Sequence, residues 1–131
     1  MTVMGISERR VGDVVVLSIN GDITMTGGGT LLLAYAIRRV LRQGHKHLVL
    51  DLADVRYVES SGLGELVQSK TSALNQGARL KLLHVGRRLA NLLALTKLDL
   101  VLECFDDERD VVASFGDTGQ AVRRDTEVNQ S

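Results

Sequence analysis

Three aliphatic runs start at Val14 (VVVLSI, β-branched), His47 (HLVLDL) and Arg79 (RLKLLHV). Each interval between them is long enough for one helix and a turn. The interval after Val14 carries Leu33, Ile37, Val40 and Leu41 at positions i, i+4, i+7 and i+8, a single apolar stripe that Gly44 ends. Arginines in its last turns (Arg38, Arg39, Arg42) suit the negative end of a helix. The next interval reads as a helix over about 61–76, with Leu63, Leu66, Val67 and Leu74 on one face, Lys70 interrupting it and Gly77 as the stop. Alternation of this kind predicts parallel strands joined by right-handed helical crossovers. HLVLDL is nearly continuous in apolar residues, as a strand covered on both faces should be.

The ends of the pattern follow the same logic. Residues 4–9 are expected to pair with VVVLSI as an antiparallel hairpin through Gly12 and Asp13. "TGGGT" (26–30) breaks the chain before the first helix. Beyond the third strand, 86–98 predicts a short helix with Leu89, Leu92 and Leu93 inward, "LVLECF" (100–105) a further strand, and 106–115 a helix with an acidic start and apolar Val111, Val112 and Phe115. The fold class is α/β, one domain over 1–116, with a mixed, largely parallel sheet of four or five strands and about four helices. The polar, aperiodic segment 117–131 is expected to be a disordered tail.

Composition removes several function classes. Sixteen basic and sixteen acidic residues leave no net charge, so nothing global draws the chain to nucleic acid or an anionic membrane. Aromatics are 3% and Trp is absent, which argues against a base-stacking platform. Cys104 is the one cysteine, sits in an apolar run, and reads as a small core residue. No stretch approaches the ~18 apolar residues of a membrane span. The N-terminus has no signal-peptide pattern, so a cytoplasmic location is the default expectation.

The chemistry-bearing stretch is "ESSGLGELVQ" (59–68). Its plainest reading is that Ser60 or Ser61 caps the helix that follows. Gly62 and Gly64 strain that reading, because glycine in a first turn costs up to ~1 kcal/mol against alanine. Close backbone approach, by the sheet or by a partner chain, would compensate. A catalytic serine is disfavoured: a nucleophile elbow needs G-x-S-x-G, but Glu59 and Leu63 occupy the glycine positions around Ser61. No pattern ties His45, His47 or His84 to the serines. "GELVQSKT" (64–71) nearly matches a phosphate loop but lies within a helical pattern, with Ser69 in place of a glycine. The remaining reading is modification: a serine at a helix start can carry a phosphate that the helix dipole tolerates.

The run "LVLDLADVRYVESSGLGELVQ", continued by "GARLKLL" and "LLALTKLDLVLECFDDERDVVASF" and preceded by "VVVLSINGDIT", resembles the STAS domain of bacterial anti-sigma factor antagonists over roughly 8–116. The resemblance implies that Ser61, the second serine of the pair, is phosphorylated by a serine kinase that is also the anti-sigma factor, and that a serine phosphatase resets it. It implies a partner surface formed by Thr24, Glu59, Ser60, Gly62, Leu63 and Gly64. Glu59 stands where the family often has Asp, and Thr24 where many members are acidic. No cofactor, metal, nucleic acid or membrane is implied, and oligomeric state is left open. The alternatives are a STAS scaffold or relay module with another partner, unregulated at Ser61, a small enzyme with Ser61 as nucleophile, and nucleotide binding by the domain itself, which nothing in the sequence favours.

Overall fold

A computed structural model describes residues 4–25 and 28–116. The chain runs β1 (Gly5–Val11), β2 (Val14–Asn20), α1 (Gly29–Arg42), β3 (His47–Asp54), α2 (Ser60–Asn75), β4 (Arg79–Leu83), α3 (Arg87–Leu95), a 3-10 turn (Leu98–Leu100), β5 (Cys104–Phe105) and α4 (Glu108–Gly116). The sheet order is β1-β2-β3-β4-β5. The hairpin partner β1 is antiparallel to β2, and every other pair is parallel. This is the expected α/β sheet with four helices. The expected tail at 117–131 lies outside the described residues.

Strand alternation divides the interior into two layers. Val15, Leu17 and Ile19 of β2, Leu48, Leu50 and Leu52 of β3, and Leu80 and Leu82 of β4 form one core with Leu33, Ile37 and Val40 of α1, Leu66 and Ala73 of α2, and Leu93 of α3. The intervening residues Val14, Val16, Val49 and Leu83 meet Val111 and Phe115 of α4 on the opposite face. A period of two thus buries β3 on both sides, as its unbroken apolar run requires. On the α4 face, Lys81 is only 3% exposed. Its ammonium donates to Ser114 Oγ at 2.8 Å and lies 4.5 Å from the Phe115 ring centroid. Burial pulls its pKa down, opposed by Glu103. Arg9 on β1 bonds Glu108 at the start of α4, fixing the helix across the sheet.

Three local expectations are corrected. Residues 100–105 do not form one strand. Lys97 takes a left-handed conformation (φ 62°), and the Leu102 N–H bonds Leu98 O, so the backbone closes helical turns instead of pairing. Only at the end does the chain reach β4, where Leu82 N–H bonds Glu103 O and His84 N–H bonds Phe105 O. Cys104 is consequently exposed on an edge strand and is not a core residue. On α2, Leu74 is 54% exposed, and the inward positions belong to Leu66, Ser69 and Ala73. α2 packs beside α1, and the buried Ser69 hydroxyl is satisfied by Glu65.

Candidate functional site

The parallel strands β2 and β3 do not separate at their C-terminal ends. Gly21, at φ 106°, donates its N–H to Asp54 O. Ile23 then forms a parallel bridge with Val58, its N–H bonding Tyr57 O at 2.9 Å while its carbonyl accepts from Glu59 N–H at 3.2 Å. The two strand-to-helix links are therefore joined above the sheet. This is the end of a parallel sheet where binding sites are usually built. The links hold the starts of α1 and α2 side by side, with Thr24 between Ile23, which bridges to Val58, and Met25, which Glu59 holds. Thr24 is half-buried, and its carbonyl accepts from Gly29 N–H (2.9 Å) and Thr30 N–H (3.3 Å) in the first turn of α1.

Neither serine caps α2. The helix begins at Ser60, its N-cap is Glu59 in an extended conformation (φ −84°, ψ 175°), and no side chain makes the capping bond. Instead, Glu59 Oε2 accepts from the Met25 backbone N–H at 2.7 Å and from the Ser61 hydroxyl at 2.8 Å. One carboxylate oxygen thus ties the loop before α1 to the second residue of α2. Ser60 is exposed and Ser61 half-buried, so the adjacent hydroxyls face different surroundings.

The two glycines have different reasons. A Cβ on Gly62 would lie 2.7 Å from Ile23 O, 2.8 Å from Ile23 Cγ2 and 2.9 Å from Val58 Cγ1. The close approach that the sequence called for at Gly62 is made by the protein's own joined links. A Cβ on Gly64 would meet nothing within 4 Å, and that residue is exposed on the outer side of α2. Leu63 is 8% exposed and belongs to the core.

Met25 N–H first, then the Ser61 hydroxyl, hold the Glu59 carboxyl below its ordinary value of 4.5. A carboxyl lowered by folding stabilises the fold above its ordinary value, and that contribution is lost as the pH falls through the folded value. The Met25–Glu59 link is therefore expected to hold at neutral pH and to open only in acid below 4.5. An acid titration of the Met25 amide resonance checks this; an inflection at or above the ordinary glutamate value would mean the link does not hold Glu59.

The histidines lie elsewhere. His84 Nδ1 is 3.1 Å from Asp51 on the α4 face, His47 stacks on Phe115 at 4.8 Å, and His45 meets Arg10 at 3.0 Å. "GELVQSKT" is embedded in α2, where it cannot form a loop. Among the described residues no group of three or more His, Cys, Asp or Glu could hold a metal, and no helix is long and apolar enough to cross a membrane. Sequence reasoning missed Ile23, Met25 and Gly29. Only the run of glycines at 27–29 hinted at them: a Cβ on Gly29 would lie 2.9 Å from Asp22 O.

A model of the STAS domain family matches residues 6–111. A curated relative from Thermotoga maritima, named "Putative anti-sigma factor antagonist", is 27% identical over 98 residues, which span 75% of this chain and 86% of that protein. The crystal structure of an anti-sigma factor antagonist from Mycobacterium paratuberculosis aligns with a TM-score of 0.74 at 22% identity, over 85% of this chain and 92% of that one. The Bacillus cell fate determinant SpoIIAA in its phosphorylated form aligns with a TM-score of 0.65 at 14% identity, over 85% and 99% of the two chains. These structural likenesses show a shared fold.

Proposed function

The chain belongs to the STAS domain family, and from that premise we propose that it is an anti-sigma factor antagonist whose grip on its partner is released by phosphate on Ser61. The names of its relatives support the partner class. One observation carries the site: the Ser61 hydroxyl donates to the same Glu59 oxygen that holds Met25. Esterifying that hydroxyl removes the proton it donates and sets a group of about −1.5 to −2 charges against an ionised carboxylate. An attraction becomes a repulsion at the point where the two links meet.

In this reading the partner docks over the start of α2, on Thr24, Glu59, Ser60 and the open side of Gly64, with Gly62 and Leu63 setting the helix position beneath. Met25, 67% exposed, adds an apolar contact to the same surface. The anti-sigma factor is itself the serine kinase and brings the ATP; a serine phosphatase restores the binding form. The domain binds and is modified, catalyses nothing, and works in the cytoplasm.

Mass spectrometry of the protein from its own cells, with site localisation across growth conditions, tests this. A condition-dependent fraction phosphorylated on Ser61, and an anti-sigma factor captured by the unmodified protein alone, are the expected results. Phosphate absent in every condition would instead favour a scaffold with a partner indifferent to Ser61.

A further inference from the structure

A cavity of about 600 Å³ opens between the β3-to-α2 link and α3. Leu52, Val58 and Leu63 form one wall and Leu89, Leu92 and Leu95 the other. The base is fixed in the core, with Leu52 at 2% and Leu63 at 8% exposure, while Leu95 at the lip is 82% exposed. This is the volume and apolar character of small-molecule sites, which add a few placed polar groups for orientation. Here those groups are Arg56 and Arg88, both exposed and both on the lining. Arg9 and Arg39 each pair with a carboxylate, but Arg56 and Arg88 enter no hydrogen bond or ion pair among the described residues. Glu59 also reaches the lining, where its carboxylate is engaged by Met25 and Ser61. Two guanidinium groups against one occupied carboxylate leave the mouth positive. Gly86 at the start of α3 lines it too, which adds the positive end of a helix.

We propose that this cavity binds a small amphiphile with an aliphatic chain and a terminal oxyanion, the chain lying between α3 and the β3-to-α2 link and the oxyanion held by Arg56 and Arg88. Arginine's planar fork suits carboxylate and phosphate alike. Glu59 and Ser60 lie on the lining and Ser61 does not, so the cavity borders the phosphate switch, while the contacts that hold the oxyanion, Arg56 and Arg88, are no part of it.

The test is an amide NMR titration of the full chain with decanoate, decyl phosphate and decanol, each below its aggregation concentration. Decanoate or decyl phosphate, whichever headgroup the site prefers, is expected to give saturable shifts confined to residues 55–60 and 86–96. Decanol should bind at least ~10-fold more weakly, the step of about one lost charge-assisted contact. The exposed pair R56E/R88E should weaken the anionic probe at least ~10-fold by the same reasoning, and L92W, which narrows the space between the two apolar walls, should weaken it as well. If L92W loses its dispersed spectrum, the charge reversal alone decides. Shifts that do not saturate, decanol binding as tightly as either anion, or an R56E/R88E protein with undiminished affinity would each overturn the proposal.

Discussion

Gly62→Ala is expected to lower stability by about 2 kcal/mol, although alanine is the better helix former by up to ~1 kcal/mol. The added methyl would sit 2.7 Å from Ile23 O and within 2.9 Å of two side-chain carbons. Flexible ends could move aside, but a carbonyl cannot: Ile23 O is fixed by Glu59 N–H, and Ile23 itself is fully buried. Relief must come from pushing the two links apart, which strains the Ile23–Val58 bridge and the Met25–Glu59 bond together. Gly64→Ala is the control, since its methyl enters open space two residues further along the same helix. It should raise stability by up to ~1 kcal/mol through helix propensity and a less flexible unfolded chain. Urea unfolding with an unchanged m-value measures both. A Gly62→Ala protein at least as stable as wild type would show that the joined links yield easily and that the glycine is held for another reason. The pair also separates two roles that the sequence could not tell apart: Gly62→Ala should disturb partner binding by moving Glu59 and Ser61, while Gly64→Ala should disturb it only if a partner covers that side.

The fold was largely legible because it is written in periodicity. β2, β3 and β4 announce themselves as aliphatic runs, and the stripe Leu33, Ile37, Val40 and Leu41 lies buried as its spacing requires. Misreadings arose where size was taken for burial. Leu74 points outward while the smaller Ser69 and Ala73 pack inward. Residues 100–105 are apolar enough for a strand, but strand formation needs a free edge to pair with, and a left-handed Lys97 delivers only two residues to it. At the site, the motif located the serines but not their hydrogen-bond geometry. That Glu59 rather than a serine is the N-cap, and that its carboxylate spans to Met25, depends on a contact across 34 residues that no local pattern encodes.

Ser61→Asp, or phosphorylation of Ser61 itself, is expected to weaken binding to the anti-sigma factor by roughly a hundredfold or more, the scale of like charges set together at an interface, and to leave the fold intact. The two effects separate because the helix and the partner meet the new charge differently. Ser61 is the second residue of α2, whose first-turn N–H groups have no partners within the helix, so a negative group there is tolerated by the domain. On the docking surface, the same group breaks the hydroxyl bond to Glu59 and adds its charge to that of Glu59, held ionised by the Met25 N–H, so a partner that fits one negative charge there meets two or more. Ser61→Ala also loses that bond but adds no charge, so it should bind within a few-fold of wild type and accept no phosphate, the ~1 kcal/mol of a part-buried hydrogen bond being its largest cost. Glu59→Gln should partly restore binding to the phosphorylated or Ser61→Asp protein, because it keeps the Met25 contact through the amide oxygen while removing the opposing charge. Calorimetric titration of the four proteins against one anti-sigma factor, with circular dichroism to confirm folding, reads all of this. If Ser61→Asp bound as tightly as wild type, the charge switch would be wrong. If Ser61→Ala lost affinity as severely as Ser61→Asp, the partner would be reading the hydroxyl itself, and phosphate would act by removing a donor rather than by repulsion.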